Sequence, residues 1–220
     1  MLLFSSAFHF NSQAMADLGL ISVDFNGANT FSTTGNPGPT AQGAAFVGSL
    51  GDTWNGLNGS NGSFANLVNS SNAPTGVSIA WSSGLSYFIG GSNQTPKPDL
   101  SDDFLRNVIS VTLSNLPTNT YNLYLYSNDD INQRDTPPRS TTFTVNTVVL
   151  PTVFQQDTPG SWLLAQNYMA TTVTTSGTIT ITTVGTLNGL QLVAVPEPSS
   201  LMLSGFGVAL IVRLVRRRMA

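Results

Sequence analysis

Short segments with the two-residue periodicity of β-strands, separated by turn residues, extend through most of this chain. Apolar and small polar side chains alternate in residues 76–81, and residues 120–126 (TYNLYLY) alternate in the same way. Polar turns interrupt these segments, as at residues 114–119, and Asn146 has the position of a tight hairpin turn. Further strands are predicted at residues 18–25, 108–113, 141–145, 147–150, 162–170, 178–184 and 189–194. About eight to ten short strands with this spacing predict an all-β sandwich or barrel.

Two segments depart from the strand pattern. Residues 99–107 (DLSDDFLRN) are predicted to form a helical turn capped by Asp99 or Ser101, because these side chains accept hydrogen bonds from the first free N–H groups of a helix. Residues 28–62 are rich in Gly, Asn, Ser, Thr and Pro, and they are predicted to form a long loop. Ordinary connections are much shorter, so this loop is either functional or partly mobile.

Charge and cysteine content narrow the class of protein. Charged residues are only 9% of the 220 residues, and residues 17–194 contain ten Asp, no Glu, one Lys and three Arg, a formal charge of −6. This balance argues against a nucleic-acid partner, which requires a basic surface. The chain has no Cys, so neither a disulfide nor a thiol nucleophile contributes.

The last 26 residues have three parts. A rigid polar segment, Pro196-Glu197-Pro198, contains the only Glu of the chain and is held extended by its prolines. Twelve uncharged, mostly apolar residues follow at 201–212, and Arg213 and residues 216–218, all Arg, come after them. Two structures are compatible with this stretch: a buried C-terminal helix with a solvated basic end, or a membrane helix over 199–212 that residues flanking the apolar run extend. The missing polar face and the arginines favour the membrane helix.

This order of features resembles the PEP-CTERM sorting signal. The residues that carry the resemblance are Pro196, Glu197, Pro198, the apolar span, Arg213, Arg216, Arg217 and Arg218. The resemblance implies a Gram-negative-type bacterium that makes extracellular polysaccharide, and recognition by exosortase, a membrane-embedded transpeptidase-like enzyme. It also implies export across the inner membrane, a transient stay in that membrane through the C-terminal helix, and a final location at the cell surface or in the extracellular matrix.

The amino-terminal residues 1–16 resemble the end of a secretory signal peptide. Residues 2–8 are a short apolar region, and Ala14-Met15-Ala16 is a cleavage site of the A-x-A type, although no positively charged region precedes them. The alternative is a disordered amino terminus. We expect a truncated signal peptide at 1–16, a β-sandwich domain at 17–194 and the sorting signal at 195–220.

The domain resembles the jelly-roll, galactose-binding-like modules that often precede PEP-CTERM tails. The likeness rests on three segments, residues 23–26 (VDFN), residues 51–55 (GDTWN) and the predicted hairpin at 111–126. It implies a jelly-roll-like (galactose-binding-like) antiparallel β-sandwich followed by a C-terminal hydrophobic helix. An immunoglobulin-like sandwich is the alternative.

Candidate ligand-binding residues lie on the Gly-rich segment. Sugar-binding sites combine an aromatic face with Asn and Asp side chains that bind hydroxyl groups, and Asp52, Trp54 and Asn55 have this composition. The alternative is that Trp54 anchors the segment in the core. Tyr124 and Tyr126 form either an exposed aromatic ladder or part of a buried layer.

A calcium site is a further prediction, and no other cofactor is expected. Ca²⁺ takes six to eight oxygen ligands. Asp24, Asn26 and Asp52, together with Asp129 or Asp130, are the candidate ligands, since sandwich folds often bring oxygens from early strands and loops together.

No catalytic arrangement is apparent in the sequence. The only His, His9, lies in the predicted signal peptide, and there is no G-x-S-x-G elbow, so Ser–His–Asp chemistry is excluded in the mature domain. The expected function is a non-enzymatic structural or binding role in the extracellular polysaccharide matrix. A carbohydrate-binding, lectin-like module is the alternative, and a glycan-active enzyme comes third.

Overall fold

The structure, a computed structural model, describes residues 18–26, 46–49, 52–88, 100, 103–128, 140–154 and 163–196. The predicted signal peptide at 1–16 and the predicted C-terminal helix at 199–212 lie outside these residues. Within the described part of the chain, no helix has the length and apolar character needed to cross a membrane.

The described residues form two β-sheets. Their strands are β1 (Leu20–Asn26), β2 (Asn55–Asn58), β3 (Asn61–Phe64), β4 (Ser78–Phe88), β5 (Asp103–Ser114), β6 (Asn119–Tyr126), β7 (Ser140–Val145), β8 (Val148–Val149), β9 (Val153–Phe154), β10 (Tyr168–Thr175), β11 (Ile179–Leu187) and β12 (Gly189–Ala194). The five-stranded sheet has the order β10-β6-β12-β1-β2. The seven-stranded sheet has the order β3-β4-β5-β11-β7-β8, and β9 also pairs with β7. Neighbouring strands are antiparallel except β1 and β2, which pair in parallel. The predicted all-β, jelly-roll-like antiparallel sandwich is confirmed.

The core lies between the two sheets and follows the two-residue periodicity of the strands. On β6, Tyr121, Leu123 and Leu125 are buried in this core, and the intervening side chains point to the other face. The seven-stranded sheet contributes Ile79, Trp81, Ile109, Val111, Leu113, Phe143, Ile179 and Ile181. Burying a side chain of this size removes apolar area worth about 1.5–3 kcal/mol from water, so these inward rows are the main source of stability.

The chain passes from one sheet to the other between β11 and β12. Asn188 is buried at this crossing, and its N–H donates to Tyr126 O at 2.9 Å. At Gly189, an added Cβ would overlap the carbonyl oxygen of Val23 and the Leu100 side chain. This close approach of the two backbones requires glycine at position 189. The strand that begins there, β12, lies in the middle of the five-stranded sheet, between β6 and β1.

Three local predictions are wrong or shifted. Of the helical turn predicted at 99–107, Leu100 does have 3₁₀-helical conformation, but residues 103–107 belong to β5, because Phe104 and Leu105 are buried through pairing with β4 and β11. Residues 55–62 are not loop throughout, because β2 and the first half of β3 lie there and pair with β1 and β4. The strand predicted at 162–170 begins at Tyr168 and extends to Thr175. The turn at Asn146 is confirmed, with φ of 53°.

Candidate functional site

The outer face of the five-stranded sheet carries a row of tyrosines. In the β6–β10 pair, Tyr126 lies opposite Tyr168, and Tyr124 lies opposite Ala170. On the other side of β6, Gln191 of β12 lies opposite Tyr124. These side chains point away from the core because their neighbours along each strand, such as Leu125 and Met169, are in the core. We call Tyr124, Tyr126, Tyr168, Gln191 and Ser22 the tyrosine face.

A second apolar cluster covers part of the tyrosine face. It consists of Trp54, Leu100, Tyr126 and Tyr168, all buried, and Tyr124 packs against it half-buried. The rings of Tyr126 and Tyr168 are 6.0 Å apart between centroids. This cluster explains why the end of β6 is buried on both faces: Leu125 lies in the sandwich core, and Tyr126 lies under residues that precede β2 and β5.

Hydrogen bonds connect the tyrosine face to the segment at residues 46–49. The hydroxyl of Tyr126, whose side chain is fully buried, accepts a bond from the N–H of Phe46 at 3.0 Å and donates one to Oε1 of Gln191. The Gln191 amide donates to Ser22 Oγ and to Val47 O, each at 2.9 Å. The N–H of Val47 donates a longer bond of 3.4 Å to Gln191 Oε1. These bonds fix the backbone of residues 46 and 47 above the sheet.

Phe46 forms the outermost layer of this arrangement. Its ring stacks on Tyr168 with a centroid distance of 4.8 Å and an interplanar angle of 25°. It also contacts Tyr124 at 5.8 Å in a tilted geometry. Phe46 is nevertheless 55% exposed, so one side of its ring faces solvent. The result is an aromatic surface on a rigid sheet, supported from below by buried rings.

The hydroxyls of Tyr121, Tyr126 and Tyr168 are held in their neutral form. Burial raises the pKa of Tyr126 far above its ordinary value, and the hydrogen bond from Phe46 offsets only part of this shift. Burial also raises the pKa of Tyr168, with a smaller contribution from Tyr124, and burial raises the pKa of Tyr121 in the core. At neutral pH these three hydroxyls are therefore protonated and uncharged.

Trp54 and Asn55, two of the predicted ligand-binding residues, have structural contacts. Trp54 is only 4% exposed, so its ring offers no face to a sugar in this conformation. Its buried position matches the alternative, in which Trp54 anchors the Gly-rich segment. Asn55 is buried, donates to Ser22 O and Val68 O, and accepts a bond from Val68 N. Asp52 is partly exposed and accepts a bond from Ser49 N at 2.7 Å. Ligand binding by Asp52, Trp54 and Asn55 stays a prediction.

The predicted calcium ligands do not converge in the described residues. Asp24 is buried on β1 opposite Gly56 of β2, and continuing this register places Asp52 four residues away, about 13 Å along the strands. One calcium ion binds oxygens at about 2.5 Å, so Asp24 and Asp52 cannot share it here. The Asn26 side chain and residues 129 and 130 lie outside the described part. No group of three or more His, Cys, Asp and Glu is placed for metal binding within the described ranges, and calcium binding stays a prediction.

The sorting segment begins inside the fold. Ala194, the last residue of β12, lies opposite Tyr121, and Val195 N donates to Thr120 O at 2.8 Å. Pro196 follows and is exposed. Glu197, Pro198, Arg213 and residues 216–218 lie outside the described residues. The tail is therefore attached directly to a central strand, with no spacer between the sheet and Pro196.

Sequence reasoning missed Phe46, Tyr168 and Gln191 as members of a site. Phe46 lies in a Gly-rich segment without periodicity, and nothing in its neighbours indicates that it packs on a strand more than 100 residues later. Tyr168 lies within the strand predicted at 162–170, but it is the first residue of the observed strand, and the sequence does not indicate which strand it pairs with. The usable signal was the TYNLYLY segment, in which Tyr124 and Tyr126 interrupt the polar positions of an otherwise alternating strand.

Comparison with solved structures found distant β-rich neighbours. The ANX2 ectodomain from Arabidopsis thaliana aligns with 12% identity and a TM-score of 0.41, over 81% of this chain and 51% of that chain. A family 35 carbohydrate binding module from Clostridium thermocellum aligns with 13% identity and a TM-score of 0.32, over 53% of this chain and 92% of that chain. This chain thus spans about half the length of the ANX2 ectodomain. Similarity at this level says nothing about ligand or activity.

Comparison at the sequence level concerns the tail. A search of curated protein sequences found no significant match. Against protein families, residues 194–218 match the PEP-CTERM protein-sorting motif. The matched range begins at the last residue of β12 and includes Pro196, Glu197 and Pro198 together with the four arginines. Residues 194–218 form a PEP-CTERM protein-sorting motif, which implies recognition by exosortase and export to the cell surface or the extracellular space.

Proposed function

We propose that this protein is a non-enzymatic β-sandwich protein that exosortase processes and releases into the extracellular polysaccharide matrix, where it has a structural or binding role. The observation that carries the proposal is the PEP-CTERM motif at residues 194–218, which starts at the end of a central strand of the folded domain. Because Val195 is still bonded to the sheet, we expect processing beyond it, at or after Pro196, where the cut leaves every bond of the sheet in place. The processed product would then keep the whole sandwich.

The composition of the domain supports a role without catalysis. Residues 17–194 contain neither His nor Cys, and neutral polar residues replace most of the charges found in ordinary domains. Such a surface suits contact with neutral, hydroxyl-rich polymers in water. A glycan-active enzyme would need two carboxyl groups on either side of a substrate bond.

Carbohydrate binding is the second candidate function, and a specific feature favours it. Phe46 exposes one side of its ring above Tyr124 and Tyr168, and its backbone is fixed by Tyr126. A preformed aromatic surface of this kind binds the C–H faces of sugar rings at little cost in conformational entropy. A purely structural role would not require the exposed ring.

Matrix fractionation tests the proposed function. The full-length chain is expressed in a polysaccharide-secreting bacterium that has exosortase, and in the same strain without it. We expect the shortened protein in the matrix fraction of the first strain, and its release when the polysaccharide is digested enzymatically. Recovery of the protein from the cytoplasm, or from the medium with no retention by the matrix, would contradict the proposal.

A polysaccharide panel separates the candidate functions. Binding to a glycan without turnover indicates the lectin-like role, and retention in the matrix without glycan binding indicates the structural role. Turnover of a polysaccharide that an Asp→Asn substitution abolishes would instead establish a glycan-active enzyme.

A further inference from the structure

We infer that the tyrosine face, with Phe46 above it, is a binding site for neutral hexopyranose units of a polysaccharide. This inference rests on the proposed function, because it names the ligand class and the site through which the protein would be held in the matrix.

The aromatic part of the site is rigid before any ligand binds. Phe46 is 55% exposed, yet its backbone N–H is bonded to the Tyr126 hydroxyl at 3.0 Å and its ring rests on Tyr168 at 4.8 Å. Val47 is bonded to the Gln191 side chain through both its N–H and its carbonyl group. A ring that is both exposed and fixed is suited to stacking, because little side-chain freedom remains to be lost on binding.

The polar part of the site lies next to the rings on the same face. Ala170, opposite Tyr124, is exposed and adds no bulk, and Thr172 lies two residues further along β10. The Thr172 hydroxyl bonds to Oδ1 of Asn122 at 3.1 Å. Tyr168 and Thr172 are four residues apart on β10, about 13 Å along the strand, and only the small side chain of Ala170 lies between them on this face. We place one sugar ring over Ala170, between the aromatic surface and the Thr172–Asn122 pair.

The charge of this face determines the class of ligand. β6 (NTYNLYLY) and β10 (YMATTVTT) contain no charged residue, and Gln191 of β12 is neutral. On β1, the buried carboxyl group of Asp24 lies on the same face as Ser22, so the one charged side chain that these strands place on the face is acidic. The Tyr126 and Tyr168 hydroxyls stay protonated because burial raises the pKa of both. A uronic acid or a sulfated sugar would find no cation among the described residues of this face to offset the loss of hydration of its charge. Neutral hexoses stack on the rings and exchange hydrogen bonds with hydroxyl and amide groups instead.

The test measures binding of the full-length chain, purified in detergent, to soluble polysaccharides by affinity electrophoresis. The neutral probes are a glucan, a galactan and a mannan, and the anionic probes are alginate and polygalacturonate. We expect binding to at least one neutral probe and weaker binding to both anionic ones. Phe46→Ala should reduce affinity about tenfold, and Thr172→Val, which keeps the side-chain shape, about threefold.

The control variant is Phe154→Ala. Phe154 is 58% exposed, close to the value for Phe46, but it lies on β9 in the other sheet, so its removal should leave affinity unchanged. Phe46→Ala keeps the backbone N–H that Tyr126 binds, and an unchanged melting temperature would show that it folds.

Four results would overturn the inference: no binding to any neutral probe, tighter binding to an anionic probe, equal binding by the Phe46→Ala and wild-type proteins, or equal loss in the Phe154→Ala control. If the Phe46→Ala protein is retained in the matrix as well as wild type, the site is wrong and the proposed function stands. If the wild-type protein is absent from the matrix, the proposed function fails as well.

Discussion

Removing the hydroxyl of Tyr126 tests whether the segment at residues 46–49 is fixed to the sheet as the structure shows. Tyr126→Phe keeps the ring in its fully buried position and removes one atom. That atom accepts a bond from Phe46 N–H and donates one to Gln191 Oε1. The substitution therefore breaks both bonds without creating a large cavity.

The size of the stability loss depends on which hydrogen bonds remain for the two former partners of the hydroxyl, Gln191 Oε1 and the Phe46 N–H. Gln191 Oε1 still accepts the bond from the Val47 N–H. The loss of the Tyr126 bond at this buried acceptor should therefore cost stability at the low end of the usual range. The N–H of Phe46 lies at a partly exposed site and can turn to water. A buried group left unsatisfied costs about 1–3 kcal/mol, so we expect the free energy of unfolding to fall by about 1.5 kcal/mol.

Urea denaturation of the purified protein measures this change, as a lower midpoint with an unchanged slope. Tyr168→Phe is the matched control, because its hydroxyl makes no hydrogen bond to any residue in the described part of the chain, and it should change stability by less than about 0.5 kcal/mol. If Tyr126→Phe is as stable as wild type, residues 46 and 47 are not held by Tyr126, and the preformed aromatic surface is not supported.

Three further predictions concern stability. Gly185→Ala should destabilise the fold by about 3 kcal/mol in the same urea assay, because φ is +130° and the new Cβ would lie 2.8 Å from Thr141 Cα. The control Gly76→Ala, also at positive φ but with no atom within 4 Å of the new Cβ, should cost about 1 kcal/mol. Equal losses in the two variants would contradict this account. The free energy of unfolding should decline above about pH 10, because the unfolded chain there loses tyrosine protons that the folded chain keeps. Tyr126→Phe should make this decline less steep. A urea midpoint that does not change from pH 9 to 12 would be inconsistent with the raised pKa of Tyr126. A chain lacking residues 195–220 should remain soluble and melt cooperatively, since only one backbone bond of the described fold, Val195 to Thr120, is lost; absence of a cooperative calorimetric transition would mean that the tail belongs to the core.

Much of the sandwich could be predicted because strand periodicity is a local property. Predicted strands at 120–126, 141–145 and 189–194 correspond closely to β6, β7 and β12. Their inward side chains, such as Leu123 and Leu190, are those that the alternation selects. Local patterns of this kind record which face of a strand is buried, whichever strand pairs with it.

The errors arose where pairing between distant segments decides the structure. The helix-start signal at Asp99 or Ser101 predicted a helical turn as far as residue 107, but residues 103–106 pair with β4 and residues 105–107 pair with β11. β2 and β3 are short and rich in Asn and Gly, so their own sequence gives little indication of strand structure. Tertiary pairing overrides weak local preference in both cases.

The candidate site was less predictable than the fold. Trp54, the most conspicuous aromatic residue of the Gly-rich segment, is buried, whereas Phe46 from the same segment is the exposed ring. The separation of Asp24 from Asp52 depends on the parallel register of β1 and β2, which no local pattern records. Of the aromatic residues that the sequence singled out, Tyr124 and Tyr126 lie on the tyrosine face, and Trp54 packs there in the buried cluster.

Each of the three parts of the tail has its own role if exosortase processes the protein. Pro196-Glu197-Pro198 would present an extended segment to a membrane-embedded protease, and the apolar residues 201–212 would hold that segment at a fixed height. The arginines from Arg213 onward would prevent slippage, because moving arginine to the centre of a bilayer costs several kcal/mol.

The most direct measurement is mass spectrometry of the C-terminus of protein recovered from the cell surface. It compares the wild-type chain with a variant in which Pro196, Glu197 and Pro198 are all replaced by Ala, both expressed in a host that has exosortase. The account predicts that wild type is shortened beyond Val195, and that the variant crosses the inner membrane but accumulates uncleaved and membrane-tethered. A normally shortened C-terminus in the triple-Ala variant would contradict the assignment of residues 194–218 as the signal that exosortase reads.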